Sequence, residues 1–126
     1  MSARLDELLR AAGDPTRLRI LNLLRQGSIC VCDLQQVLGL TQPTVSRHLA
    51  VLRHASLVID ARRGNRMLYS LARVDSPQVR AFFEFLEECA SSEEVMQSDT
   101  RLLESALRRG ECAAGEITNA AEGIAP

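Results

Sequence analysis

Apolar residues recur along most of the chain at the three- and four-residue spacing of amphipathic helices. Gly13 ends a first predicted helix over residues 2–12, and Asp14-Pro15 then supply an N-cap and a proline at the first helical position of the second. The second helix ends near Gln26-Gly27. The apolar stripe of the first helix is Leu5, Leu8, Leu9 and Ala12, and that of the second is Leu18, Ile20, Leu21, Leu23 and Leu24.

Two shorter helices are predicted next, with a tight turn between them. One runs from about Asp33 to Leu38 and is ended by Gly39. Thr41 is the predicted N-cap of the other, which extends to about Arg53. Its inward face is Val45, Leu49 and Leu52. The lengths and the turn predict a helix-turn-helix.

The hydrophobic period then changes from that of a helix to that of a strand. Residues 57–62 and 66–71 predict two short strands around Arg63-Gly64-Asn65, whose Gly-Asn pair is typical of a hairpin turn. Ser76-Pro77 opens a further helix, with Val79, Phe82, Phe83 and Leu86 on one stripe, and a last helix is predicted over 93–109. The predicted fold is a mainly α winged helix-turn-helix with a small β-hairpin, in one domain over 1–109. Residues 110–126 are small and polar and are predicted to form a flexible tail.

Length and composition narrow the class of protein. The chain has 126 residues, enough for one domain, and no apolar run approaches the roughly 20 residues that span a bilayer. Its first residues lack the apolar stretch of a signal peptide, so a cytoplasmic protein without a membrane partner is expected. The four cysteines of a cytoplasmic protein more often mark metal, redox or buried sites than structural disulfides.

The net charge of −1 is unevenly distributed. Residues 47–73 carry six arginines and one aspartate, a charge of +5, whereas residues 75–126 carry eleven acidic residues and four arginines, a charge of −7. Such a concentrated basic block is what a DNA-facing surface requires, although a charge run is also typical of an ordinary solvated face.

The stretch from Thr41 to Leu49 has the residue types of a DNA-recognition helix. Polar side chains at its start can pair with base edges in the major groove or with phosphates. We predict this role for Gln42, Thr44, Ser46, Arg47 and His48. Three arginines of the hairpin, Arg62, Arg63 and Arg66, are expected to reach flanking phosphates or a minor groove.

Three motifs in this order resemble the ArsR/SmtB family of metal-responsive repressors. They are Asp14-Pro15-Thr16-Arg17-Leu18-Arg19-Ile20-Leu21, Cys30-Val31-Cys32-Asp33-Leu34 and Gln42-Pro43-Thr44-Val45-Ser46-Arg47-His48-Leu49, and the resemblance covers about residues 5–90. It implies a homodimeric winged helix that binds double-stranded operator DNA with an inverted repeat and dissociates when an inducer binds. It places the dimer interface on residues 2–12 and 77–90. No catalytic role is expected.

The Cys30-Val31-Cys32 motif resembles the inducer site of the arsenic-responsive branch, which implies As(III) as inducer, with Sb(III) or a methylarsenite as alternatives. Thiolates suit such soft ions. Residues two apart on a regular helix differ by about 200° in direction, so both sulfurs can meet one ion only where the backbone leaves helical geometry. Ligand binding is therefore expected to distort the start of the helix-turn-helix.

The third ligand of an As(III) site is open. Many relatives have a third cysteine three positions after the second, where this chain has Gln35. Cys89, Cys112, a free thiol or water are the alternatives, and two thiols alone suit a methylated arsenical. Cys89, beside an apolar stripe, is also a common type of buried core residue.

The sequence fits other signals and other activities less well. Zinc-sensing relatives use Asp, His and Glu on the fifth helix, but residues 77–90 contain no histidine, and Asp75, Glu84, Glu87 and Glu88 are better explained as a solvated face. A thiol-redox or persulfide signal, pairing Cys30 or Cys32 with a distant cysteine such as Cys89, is the alternative for a repressor of the same fold. A thiol enzyme is disfavoured, because neither a Cys-x-x-Cys motif nor an alternating strand–helix pattern is present.

Overall fold

In the computed structural model, which describes residues 4–109, six helices and three strands follow one another along the chain. The helices are α1 (Leu5–Ala12), α2 (Pro15–Leu24), α3 (Val31–Leu38), α4 (Gln42–His54), α5 (Pro77–Ala90) and α6 (Glu94–Arg109). The strands β1 (Ile29–Cys30), β2 (Val58–Arg63) and β3 (Arg66–Leu71) form one antiparallel sheet in the order β1-β3-β2. The predicted winged helix is confirmed, while the predicted tail, residues 110–126, lies outside the described residues.

Local signals in the sequence explain where several elements begin and end. The side chain of Asp14 accepts hydrogen bonds from the backbone N–H groups of Thr16 and Arg17, at 2.8 and 3.0 Å, and so caps α2. Ser76 caps α5 in the same way by accepting from the N–H of Val79. Gly39 ends α3 with a φ of +70°, a left-handed conformation that glycine adopts without strain.

The prediction was wrong at the start of the helix-turn-helix. The helix α3 begins at Val31 rather than near Asp33, and the two-residue strand β1 before it was missed. A strand this short shows no periodicity, and the N-cap of α3 is Cys30, which makes no side-chain cap hydrogen bond and gives no capping signal in the sequence. Asp33 lies instead in the first helical turn.

The helices α2, α3 and α4 supply ten of the 23 described buried residues of the main core, α1 and α5 supply seven, and α6 packs against α2 and α3. Arg19 of α2 donates two hydrogen bonds to the carboxylate of Asp99 in α6, at 2.7 and 2.9 Å, and Asp99 is buried. The buried amide of Asn22 donates to the carbonyl of Met96. These contacts hold α6 against α2.

The apolar stripes of α1 and α5 are only partly covered within one chain. In α1 the buried residues are Leu8, Ala11 and Ala12, so that Leu5 and Leu9 of the predicted stripe are exposed. In α5 the predicted Val79, Phe82 and Leu86 are buried and Phe83 is half-buried. Phe85 is 63% exposed, which is unusual for an aromatic side chain.

The chain enters the β-hairpin through a Schellman motif at the end of α4. The N–H of Leu57 bonds the carbonyl of Leu52, and the N–H of Ser56 bonds that of Arg53. Ser56 has a φ of +65°, in the region that usually favours glycine. At the hairpin tip Gly64 has a φ of +60°, as the predicted two-residue turn requires. We call the hairpin formed by β2 and β3 the wing.

Candidate nucleic-acid interface and thiol site

The first two turns of α4 present polar side chains above a buried apolar face. Gln42 and Arg47 are exposed, and Thr44 and Ser46 are half-buried. The amide of Gln42 donates to the hydroxyl of Ser46 at 2.9 Å, and the hydroxyl of Thr41 donates to that of Thr44 at 3.0 Å. Gln42, Thr44, Ser46 and Arg47, four of the five predicted contact residues of α4, are thus at least partly accessible.

His48, the fifth predicted contact residue, faces another helix. Its Nδ1 lies 3.2 Å from a guanidinium nitrogen of Arg17 in α2, and the Nε of Arg17 donates to the carbonyl of Ala11 at 2.6 Å. The ring therefore links α4 to α2, a contact between residues 31 positions apart that no local pattern indicates.

The predicted basic residues of the wing differ in their surroundings. Arg62 and Arg63 are exposed beside the hairpin tip. Arg66, at the start of β3, is half-buried, and two of its guanidinium nitrogens are buried. At the base of the wing Arg53 forms an ion pair of 2.8 Å with Asp60. Arg66 is thus placed toward the body of the molecule, unlike the other two predicted wing arginines.

The two cysteines of the Cys-x-Cys pair lie on different elements. Cys30 has an extended backbone in β1, with φ −82° and ψ 156°, and is 4% exposed. Cys32 is the second residue of α3 and is exposed. The prediction placed both residues ahead of the helix, and it was wrong for Cys32. The pair joins the sheet to the first helix of the helix-turn-helix.

A buried carboxylate accompanies the buried thiol. The Sγ of Cys30 donates to the carboxylate of Asp33 at 3.4 Å, and Asp33 is buried. Burial raises the pKa of the Cys30 thiol, and the backbone N–H of Asp33 acts in the opposite direction.

The thiols are not all in the same state. Cys30 and Cys89 carry reduced thiols, and Cys89 is half-buried on α5. Cys32 is disulfide-bonded, contrary to the expectation of reduced cysteines. Cys112, the other predicted alternative ligand, lies outside the described residues. Within residues 4–109, no group of three or more Cys, His, Asp or Glu side chains is arranged to hold a metal ion.

Between Arg4 and Arg109, no helix is both long and apolar enough to cross a membrane.

Comparison with known proteins agrees with the fold and the motifs. Residues 14–60 match the model of the family described as bacterial regulatory protein, arsR family. The arsenical resistance operon repressor of Escherichia coli K12 is 42% identical over 77 residues, which are 60% of this chain and 62% of that repressor. The match therefore spans less than two thirds of that relative's length.

Two solved structures resemble most of the described chain. Reduced HlyU from Vibrio cholerae is 33% identical with a TM-score of 0.59, over 67% of this chain and 85% of that one. The homodimeric winged helix-turn-helix DNA-binding domain Mb0332 from Mycobacterium bovis is 29% identical with a TM-score of 0.60, over 71% of this chain and 80% of that one.

Proposed function

This chain belongs to the arsR family of bacterial regulatory proteins, and from that premise we propose that it is a transcriptional repressor whose inducer is a trivalent arsenical bound at Cys30 and Cys32. It binds inverted-repeat operator DNA as a homodimer and dissociates from it when the inducer binds. The observation that carries the proposal is the position of the Cys-x-Cys pair at the junction between the sheet of the wing and the helix-turn-helix.

DNA recognition is assigned to α4, hereafter the recognition helix. Gln42 and Arg47 have the hydrogen-bonding geometry to read adenine and guanine edges in a major groove, and Thr44 and Ser46 suit phosphates or a thymine methyl group. The exposed Arg62 and Arg63 of the wing suit flanking phosphates. His48 is assigned a supporting role through Arg17.

The homodimer is supported by apolar side chains that one chain leaves exposed. Leu5 and Leu9 of α1 are 57% and 56% exposed, and Phe85 of α5 is more so. These are the two helices that the family resemblance assigns to the dimer interface, and a second copy covering them removes apolar surface from water. Sedimentation of the protein alone tests this, since a species of 13.9 kDa would be a monomer and would contradict it.

The donor set fits a thiophilic inducer in the reduced protein. Cys30 and Cys32 offer two sulfurs, the ligand type that soft ions select. Each bond from As(III) to sulfur replaces a thiol proton and a hydroxyl of arsenous acid, which leave together as water. The disulfide of Cys32 must be reduced first. The candidates for the third donor are Cys89 on α5, Cys112, a free thiol and water.

The two cysteines differ in burial, and this difference explains how inducer binding can release the DNA. Cys30 is buried in the sheet and Cys32 is exposed on the first turn of α3, so one ligand atom reaches both sulfurs only if this junction changes shape. Because α3 packs against the recognition helix, that change lowers the affinity of the dimer for its operator.

A thiol-redox repressor is the second candidate, because Cys32 is disulfide-bonded. In this case oxidation at Cys32, rather than chelation, is the signal for release. The two candidates share the DNA-binding surface and differ in whether a reduced protein responds to arsenite.

The experiment is a fluorescence anisotropy titration with a DNA duplex that the protein has selected from a random-sequence pool. Arsenite is added to reduced wild type, to the Cys30→Ser/Cys32→Ser double variant and to Cys89→Ser as the control. We expect release of the wild type and of Cys89→Ser but not of the double variant. If only a disulfide-forming oxidant releases the protein from DNA, and a reductant reverses the release, the signal is redox and the arsenical proposal is wrong. Failure to select or bind any DNA would contradict both candidates.

A further inference from the structure

We propose that ligand binding at the thiol site also moves the wing. The contact between Cys30 and Leu68 holds the wing in its DNA-contacting position, and a thiophilic ligand at Cys30 releases it. The inference rests on the proposed function, since it requires that such a ligand binds Cys30. It adds a route to the wing beside the route through α3 to the recognition helix.

The backbone provides the first argument, because Cys30 is itself a residue of the wing's sheet. Strand β1 pairs antiparallel with β3, with Ile29 opposite Tyr69 and Cys30 opposite Leu68. Strand β1 has only these two residues, so one of its two residue pairs with the wing is made by Cys30, a proposed ligand of the inducer. A displacement of the Cys30 backbone breaks this pairing.

Side-chain burial provides the second argument. Only two residues of the wing strands are buried, Val58 at 1% exposure and Leu68 at 7%. Val58 lies at the base of the wing and belongs to the main core. Leu68 lies closer to the tip, and it forms with Cys30 a small buried cluster separate from that core. It is thus the buried contact nearest to Arg62 and Arg63.

The chemistry of the ligand provides the third argument. A ligand that also bonds the exposed Cys32 must reach a Cys30 side chain that is now buried against Leu68. Cys30 therefore has to leave this contact and its hydrogen bond to Asp33 for the site to form. The main core does not include Cys30 or Leu68, whereas Tyr69 and Leu71 of β3 pack against it, so the wing loosens toward its tip while the rest of the fold keeps its packing.

Hydrogen exchange in the absence of DNA tests the first consequence. Reduced protein is compared with and without arsenite, with arsenic–sulfur ultraviolet absorption as an independent measure of binding. We expect faster exchange over 61–71 and unchanged exchange over the buried part of the recognition helix, with no change in Cys30→Ser/Cys32→Ser. Binding by absorption without any change in the wing would overturn the inference and leave the proposed function standing. Absence of binding would overturn both.

A pair of variants on the wing tests the second consequence. Leu68→Ala removes the contact with Cys30, and Ile59→Ala, which is 49% exposed on β2, is the matched control. We expect Leu68→Ala without arsenite to exchange faster over 61–71. If Arg62 and Arg63 leave their phosphates, the slope of log affinity against log salt falls by about two per protomer. The control should match wild type in both measurements. Wild-type exchange and slope in a folded Leu68→Ala protein would overturn the inference.

Discussion

The recognition helix and the wing carry the proposed DNA contacts, but they are attached to the molecule in different ways. The recognition helix places three fully buried residues, Val45, Leu49 and Leu52, in the main core. The wing is held at its base by Val58 and by the half-buried Tyr69 and Leu71, which contact the main core, and nearer its tip by Leu68 over Cys30. The recognition helix therefore stays in place as long as the domain is folded, whereas the tip of the wing depends on its contact with one buried thiol.

The largest effect that sharpens this comparison is on stability. Leu49→Ala is expected to lower the free energy of unfolding by about 3 kcal/mol, because the cavity left by the missing side-chain atoms is enclosed on all sides. Leu68→Ala is expected to cost about 1 kcal/mol, since its site borders solvent and can collapse. Urea denaturation followed by circular dichroism, at one fixed protein concentration, measures both. Equal losses would show that the wing is as firmly attached as the recognition helix.

A smaller effect concerns how each element contributes to DNA affinity. Arg47→Ala is expected to weaken operator binding by about 1–3 kcal/mol and to relax the preference at one base pair, as loss of a bidentate base contact does. Arg62→Ala is expected to weaken binding equally on all sequences and to lower the salt slope by about one per protomer. Anisotropy titrations on the selected duplex and on a scrambled one measure both. Sequence-independent weakening by Arg47→Ala would contradict its assignment to a base edge.

The local part of this architecture could be predicted from the sequence. The caps at Asp14 and Ser76, the turn at Gly39 and the hairpin at Gly64 depend on backbone conformations and hydrogen bonds within a few residues, and each was found where expected. Residue type and spacing therefore contained enough information to predict the winged helix.

The parts that depend on distant partners could not be predicted. Strand β1 exists because Ile29 and Cys30 pair with Tyr69 and Leu68, about 40 positions away along the chain. Arg66 was grouped with the other wing arginines by its position in the sequence, but its place in β3 leaves it half-buried, with two guanidinium nitrogens away from solvent. Nothing in the sequence distinguishes the contact of His48 with Arg17 from a side chain that faces solvent.

The thiol site shows the same division. The Cys-x-Cys motif and its position near the helix-turn-helix were evident in the sequence. The unequal burial of its two sulfurs was not, because it depends on the wing strand that covers Cys30 and on where α3 begins. The inference that the wing responds to the inducer rests on that inequality.

The smallest expected effect concerns α2, which supports the recognition helix and not the tip of the wing. Asp14 caps α2, whose Arg17 contacts His48, and the pKa of its carboxyl is lowered, mainly by the hydrogen bond from the N–H of Arg17. Asp14→Ala is expected to cost about 1 kcal/mol of stability, whereas Asp14→Asn keeps an acceptor and loses less. A lowered pKa means that the charged form stabilises the fold above the usual value of 3.8, and that this contribution disappears as the pH falls through the lower value of the folded state.

Denaturation from neutral pH down to about pH 3 measures this contribution of Asp14. The difference between wild type and Asp14→Asn should be constant near neutrality and shrink in acid. Hydrogen exchange over the wing should be the same in both proteins at neutral pH, because α2 supports the recognition helix through Arg17 and the tip of the wing is held by Leu68 on Cys30. Faster exchange at the tip of the wing in Asp14→Asn would mean that the recognition helix and the wing depend on the same support. The proposed difference between a fixed recognition helix and a releasable wing would then be wrong.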